Sequence, residues 1–98
     1  MTKEDILAYL SANKSFLMNE YHLTKIGLFG SFARQSANQG SDIDLIIELK
    51  PGVSDIFETK LRLKQKLQKD LNRDIDICRE KYLKPYAREA VLQDTIYV

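Results

Sequence analysis

The chain has one cysteine and one histidine in 98 residues. A single thiol excludes an internal disulfide, and Cys78, late in an apolar segment, is expected to be a reduced core thiol. One cysteine with one histidine leaves no Cys/His zinc set, and His22, in a polar stretch, is expected on a surface loop. A charge excess of one sign is also missing. Fifteen basic against 14 acidic residues leave +1, so net charge gives no argument for nucleic acid or membrane, and direct nucleic-acid binding is not expected. No apolar run approaches the roughly 20 residues of a membrane-spanning helix, and Met-Thr-Lys-Glu-Asp lacks the apolar core of a signal peptide. The expected location is the cytoplasm. Repeats and low-complexity segments are absent too. What remains is the composition of a soluble globule, 44% apolar and 30% charged, sized for a single domain over residues 1–98.

Hydrophobic periodicity and end signals predict alternating helices and strands. Thr2, with an acid three residues on, starts a first helix that should run to about Asn19, with Ile6, Leu7, Leu10, Phe16 and Leu17 on its apolar side. A strand over about Lys25 to Phe29, a short helix and a second strand over Ile43 to Leu49 follow, and Pro51-Gly52 ends that run. Ser54-Asp55 caps a long helix reaching about Leu71, with Ile56, Phe57, Leu61, Leu63, Leu67 and Leu71 as core candidates. Its remaining faces carry Lys60, Arg62, Lys64, Lys66 and Lys69. They read first as a solvated face with snorkelling stems, and second as a docking surface for an acidic partner or RNA. A third strand over about Asp74 to Cys78 precedes a last helix from Tyr82 to about Asp94, with Leu83, Ala87, Ala90 and Val91 inward. Tyr82 and Tyr86 are expected to be packing or interface residues. The fold class is α/β (α+β): a small three- or four-stranded mixed sheet, helices on one face and acidic side chains on the other. The first two strands should be antiparallel, with the third beside the second.

The chemistry concentrates in one phrase, Gly30-Ser31, ten residues, then Asp42-Ile43-Asp44. The Gly-Ser turn follows an apolar strand and opens a helical turn, so its backbone N–H groups can face an anion. Alternation puts Asp42 and Asp44 on one face of a strand, roughly 6 to 7 Å apart. Carboxylates on an Ile/Leu-rich strand are costly to bury unless paired, hydrogen-bonded or metal-bound. Mg²⁺ suits them, since it takes one or two protein carboxylates and completes its shell with water and substrate phosphates. A two-metal site would hold ions roughly 4 Å apart, one at the attacking oxygen and one at the leaving group. A third carboxylate is expected from Asp74-Ile75-Asp76-Ile77. Asp76 is the preferred residue, and Asp74, at the helix-to-strand junction, is the alternative.

These residues resemble the G-S-x10-D-x-D signature of the polymerase-β-like nucleotidyltransferases, specifically the minimal nucleotidyltransferase (MNT) domain. The likeness spans GSFARQSANQGSDIDLIIEL and the ending DIDICREKYLKPYAREAVLQDTIYV, and so nearly the whole chain. It implies the polymerase-β-like fold and an antitoxin that transfers AMP from ATP, with Mg²⁺, to tyrosine hydroxyls of a HEPN-domain ribonuclease toxin. By that resemblance Gly30 and Ser31 match the phosphate-binding turn, Asp42 and Asp44 the paired metal ligands, and Asp76 the third acid. In the family the third acid helps activate the acceptor hydroxyl, and a phenol of pKa about 10 needs such help at neutral pH. Arg34 matches an arginine that could reach the phosphates or brace the acids, or else form a structural salt bridge. The following position is often Gly in the family and is Gln35 here, so the loop from Gln35 to Gly40 is expected to take its own path. Two other readings are a noncatalytic antitoxin that acts by binding alone and a nucleotidyltransferase acting on a small-molecule alcohol. The short chain leaves little room for a substrate domain, so a partner must supply much of the acceptor site.

Overall fold

The computed structural model describes residues 1–98. Helix α1 (Lys3–Ala12) opens with a capping box. The Thr2 hydroxyl accepts from the Asp5 N–H at 3.1 Å, and the Asp5 carboxylate accepts from the Thr2 N–H at 2.9 Å. The helix does not continue to Asn19. Asn13 leaves helical geometry and donates from its side-chain amide to the Tyr9 carbonyl at 2.9 Å, so a second helix, α2 (Lys14–Glu20), starts after it. An Asn side chain that competes for backbone carbonyls is a common reason for such a break.

Strand β1 (Leu23–Phe29) begins two residues earlier than expected. Its register with β2 (Ile43–Leu49) shifts between Leu23 and Lys25. The irregularity lets Leu23 and Ile26, an odd spacing apart, both be buried. The short helix α3 (Gly30–Ala33) follows β1, and β2 runs antiparallel to it. Helix α4 (Ile56–Leu71) is capped by Asp55, whose carboxylate accepts from the Glu58 N–H at 3.0 Å, and it ends where Asn72 turns left-handed with φ 52°. Leu63, Leu67 and Leu71 are its buried row. Phe57 and Leu61 are not core residues, being 78% and 38% exposed. They lie roughly 80 to 120° around the helix from the buried row, counting about 100° per residue.

Strand β3 (Ile75–Arg79) lies parallel to β2. A 3-10 turn at Glu80–Tyr82 follows, and helix α5 (Pro85–Asp94) starts three residues later than expected. Pro85 explains the delay, because it holds Lys84 in an extended conformation and is itself at home in the first helical turn. No α5 residue is buried. Leu83, Ala87 and Val91 are half-buried, Ala90 is exposed, and neither Tyr82 nor Tyr86 packs inside. Strand β4 (Ile96–Tyr97) completes a four-stranded mixed sheet of order β3-β2-β1-β4. Gly27 makes room for it: a Cβ there would lie 2.9 Å from side-chain atoms of both Thr95 and Tyr97.

The core fills one face of this sheet. Ile26, Leu28, Ile43, Leu45, Ile47, Ile75 and Ile77 meet Ile6, Leu10, Leu17, Leu63, Leu67 and Leu71 from the helices. The opposite face carries Asp44, Glu48 and Asp76, but it is not bare, because Ile46 on that side is also fully buried. Cys78 alternates onto the acidic side and is only half-buried, so it is not a core thiol. His22 is exposed at a left-handed turn, φ 56°. No helix is long and apolar enough to cross a membrane.

Candidate active site

Three neighbouring strands bring the site together. Phe29, the last residue of β1, is the register partner of Asp44 on β2, and Asp44 is the register partner of Asp76 on β3. The Gly-Ser turn and the two acids therefore lie in a row across the sheet, about 4.8 Å per strand. Gly30 has φ +74°, a conformation that strains any other residue. A Cβ at Gly30 would collide with the Asp44 Oδ2 and lie 2.9 Å from its Cγ. The turn glycine is thus the floor on which the Asp44 carboxylate rests.

Asp44 is half-buried, while Asp42 and Asp76 are exposed. Burial pushes the Asp44 carboxyl above its ordinary value, the neighbouring Asp76 and Asp42 push the same way, and Arg34 opposes them. No three Asp, Glu, His or Cys side chains converge as a ready-made metal cage. The donor set nonetheless fits Mg²⁺. It offers hard carboxylate oxygens that repel one another without a cation, and Mg²⁺ draws the rest of its shell from water and phosphates.

Asp74 lies beside Asp42 rather than beside Asp44. Its carbonyl accepts from the Ile43 N–H at 2.9 Å, and the residue lines a wholly polar cleft of about 490 Å³ beside Asp42, Ser41 and Gln68. Asp76, in register with Asp44, is the acid that joins it. Ser31 is half-exposed in α3, at whose first turn backbone N–H groups lack intrahelical partners. Arg34 reaches Asp94 at the end of α5, at 3.7 Å with both side chains well exposed, which is a weak surface pair. Gln35 has φ 60°, the left-handed geometry in which glycine is at ease. The turn after α3 is therefore made by a residue unsuited to it.

The loop leading to Asp42 is closed by Asn38 and Ser41 rather than by Asp42. The Gly40 N–H donates to the Asn38 side chain at 2.9 Å, and the Asn38 N–H donates to the Ser41 hydroxyl at 2.9 Å. Arg73 fixes the same loop from outside. Its Nη1 donates to the carbonyls of Asn38, Gln39 and Ser41 at 3.3, 3.1 and 3.0 Å, and its guanidinium sits 5.1 Å from the Phe32 ring centroid. One side chain thus ties the residue after Gly30-Ser31 to the loop before Asp42. Sequence reasoning missed it; the available signal was an arginine directly after the α4 end and before the DIDI strand.

The family profile described as Nucleotidyltransferase domain matches residues 11–98. The chain belongs to the nucleotidyltransferase domain family. A Methanocaldococcus jannaschii protein, provisionally named a protein adenylyltransferase, is 33% identical over 98 residues, covering 99% of this chain and 98% of its own. Protein adenylyltransferase MntA of Thermococcus cleftensis is 29% identical over 100 residues, covering 100% and 97%. A solved structure described as a minimal nucleotidyltransferase superposes with a TM-score of 0.81 at 33% identity, over 98% of this chain and 95% of that one. The tri-AMPylated Shewanella oneidensis HEPN toxin in complex with MNT antitoxin gives 0.59 at 24% identity, over 91% and 69%, a likeness of fold alone. The chain is thus a minimal nucleotidyltransferase resembling MntA, in a family of enzymes. Its end-to-end relatives carry protein adenylyltransferase names.

Proposed function

We propose that this nucleotidyltransferase, a single minimal domain over residues 1–98, transfers AMP from ATP to tyrosine hydroxyls of a HEPN ribonuclease toxin and so acts as its antitoxin. The observation that carries the reading is the row Gly30, Asp44, Asp76, with the glycine required by the carboxylate above it. The protein adenylyltransferase names of its relatives and the fold shared with a toxin-bound MNT antitoxin support the acceptor class.

In this scheme the N–H groups of the Gly30-Ser31 turn and the Ser31 hydroxyl hold phosphate oxygens, with Arg34 near enough to add positive charge. Asp42 and Asp44, assisted by Asp76, would hold Mg²⁺, which would supply positive charge to the triphosphate. Asp76 orients the phenol and takes its proton as the tyrosine oxygen bonds to the α-phosphorus. The bond from that phosphorus to the bridging oxygen breaks, and pyrophosphate leaves. Cytoplasmic ATP and a cytoplasmic toxin are the expected setting.

The test is incubation with ATP, Mg²⁺ and the product of the adjacent gene as the candidate HEPN toxin, read by intact mass and tandem fragmentation. AMP on a tyrosine, lost with Asp44→Ala, is the expected result. Toxin inhibition without added mass, unchanged by Asp44→Ala, would replace this reading with inhibition by binding alone.

A further inference from the structure

Helix α4 presents a stripe that the proposed chemistry leaves unused. Phe57, Lys60, Leu61 and Lys64 fall at i, i+3, i+4 and i+7, so they share one face. With Asp76 and Ile77 of β3 they line a cleft of about 220 Å³. Phe57 is 78% exposed, a large apolar surface held in solvent next to a catalytic acid. The basic residues of this helix are not equivalent. Arg62 pairs with Glu20 at 3.4 Å and Lys66 with Asp70 at 3.0 Å, whereas Lys60, Lys64 and Lys69 make no salt bridge within the chain, and of these Lys60 and Lys64 line the cleft.

Position in the sheet decides what the cleft can hold. The phosphate turn follows β1, Asp44 is on β2, and the cleft opens beyond Asp76 on β3. It lies at least two strand spacings, about 10 Å, from the turn, with the acids in between. A triphosphate seated on Gly30 and Ser31 reaches the acids from one side, and an acceptor must approach from the other. Apolar Phe57 and Leu61 suit a peptide side chain better than phosphates, and two unpaired lysines suit carboxylates.

We propose that the α4/β3 cleft is the acceptor subsite, and that it recognises a tyrosine-bearing protein segment with acidic residues beside the tyrosine. The inference rests on the protein adenylyltransferase reading above. The acceptor tyrosine enters past Phe57 and Leu61 towards Asp76, while its flanking carboxylates pair with Lys60 and Lys64.

The test compares steady-state AMP transfer to the HEPN protein by the wild type, Lys60→Glu/Lys64→Glu and Phe57→Ala. Thermal melting confirms that these solvent-facing changes leave the fold intact. Charge reversal should raise KM for the protein acceptor about tenfold, because removing charge complementarity acts on encounter and register, with KM for ATP within about twofold of wild type. Phe57→Ala should raise the acceptor KM by a smaller factor. A rise in KM for ATP instead would make the cleft part of the nucleotide site and overturn the inference. Unchanged acceptor kinetics would also overturn it, as would loss of RNA binding as the only effect. Wild type that transfers no AMP to any protein removes both this inference and the proposed function, whereas transfer that is indifferent to Lys60 and Lys64 removes the inference alone.

Discussion

Asp44 and Glu48 stand on the same face of β2, four residues apart, and their surroundings push them in opposite directions. Burial raises the pKa of both. At Glu48 that push is outweighed: its carboxylate accepts from the Lys81 and Leu49 N–H groups at 2.9 and 3.1 Å and from the Arg79 guanidinium at 3.0 and 3.3 Å, and it ends below its ordinary value. At Asp44 the neighbours are Asp76 and Asp42, which add to burial. One end of the acidic face is satisfied internally, and the other has no such donors from the chain. A carboxylate that the chain itself supplies with donors belongs to the fold, and one set among other carboxylates belongs to the chemistry.

The largest effects should separate these two residues. Asp44→Asn should remove AMP transfer by about a thousandfold or more, the scale of losing a group that binds the reacting phosphates, while leaving the protein at least as stable at neutral pH. Glu48→Gln should do the reverse, costing about 1 to 2 kcal/mol through the weakened partner of Arg79, which is only 9% exposed, and keeping most activity. The pH dependence follows from the two directions. Glu48, with a lowered folded pKa, stabilises above its unfolded value, and that contribution is lost as pH falls through the folded value. Asp44, with a raised folded pKa, destabilises as an anion, and the penalty is relieved as pH falls through that raised value. Thermal midpoints across acid pH should therefore flatten in Glu48→Gln. Mg²⁺ should raise the wild-type midpoint at neutral pH and not that of Asp44→Asn. Equal activity losses in the two variants would dissolve the distinction.

Gly30→Ala comes next. The added methyl meets the Asp44 carboxylate and the backbone is already at φ +74°, so Asp44 must move. A displacement of about 1 Å at a reacting group is worth about a hundredfold in rate, and kcat should fall by that order in the transfer assay. Glycine at this position is required by a side chain on another strand, and this is why it was legible. The signature spacing in the sequence encodes a contact between the turn and β2.

Arg73 had no such spacing to announce it. Its acceptors are three backbone carbonyls some 32 to 35 residues earlier, and carbonyls leave no mark in a sequence. The break at Asn13 and the late start of α5 were hidden differently, since each turns on one side chain or ring competing with a helical pattern that stays apolar around it. Phe57 and Leu61 were misread because apolar character was taken for burial, when they lie off the buried row. The placing of β3 beside β2, which brings Asp76 next to Asp44, was legible because DIDL and DIDI repeat the same alternation, whereas the two-residue β4 on the other side of β1 carries too short a pattern to announce itself. Removing the clamp with Arg73→Ala should loosen the loop that carries Asp42 and raise KM for Mg²⁺–ATP about three- to tenfold, with kcat less affected. Arg73→Lys should restore it only in part, because all three bonds come from the one Nη1, which an ammonium can imitate, whereas the more weakly hydrated guanidinium over the Phe32 ring is lost.

Gln35 offers the smallest and sharpest test of how the two halves of the signature are joined. Its φ of 60° costs roughly 1 to 2 kcal/mol for a residue with a Cβ, and glycine would remove that strain while gaining freedom in the unfolded chain, which offsets part of the benefit. Gln35→Gly should therefore raise stability by about 0.5 to 1 kcal/mol in denaturant unfolding, and leave KM for ATP unchanged within error, because the Ser36 N–H already closes the turn on the Ser31 carbonyl at 2.8 Å. A gain in ATP affinity instead would mean that the strained turn holds Ser31 away from its working position. The phosphate end and the acid end of the site would then be coupled through Gln35 as well as through Gly30.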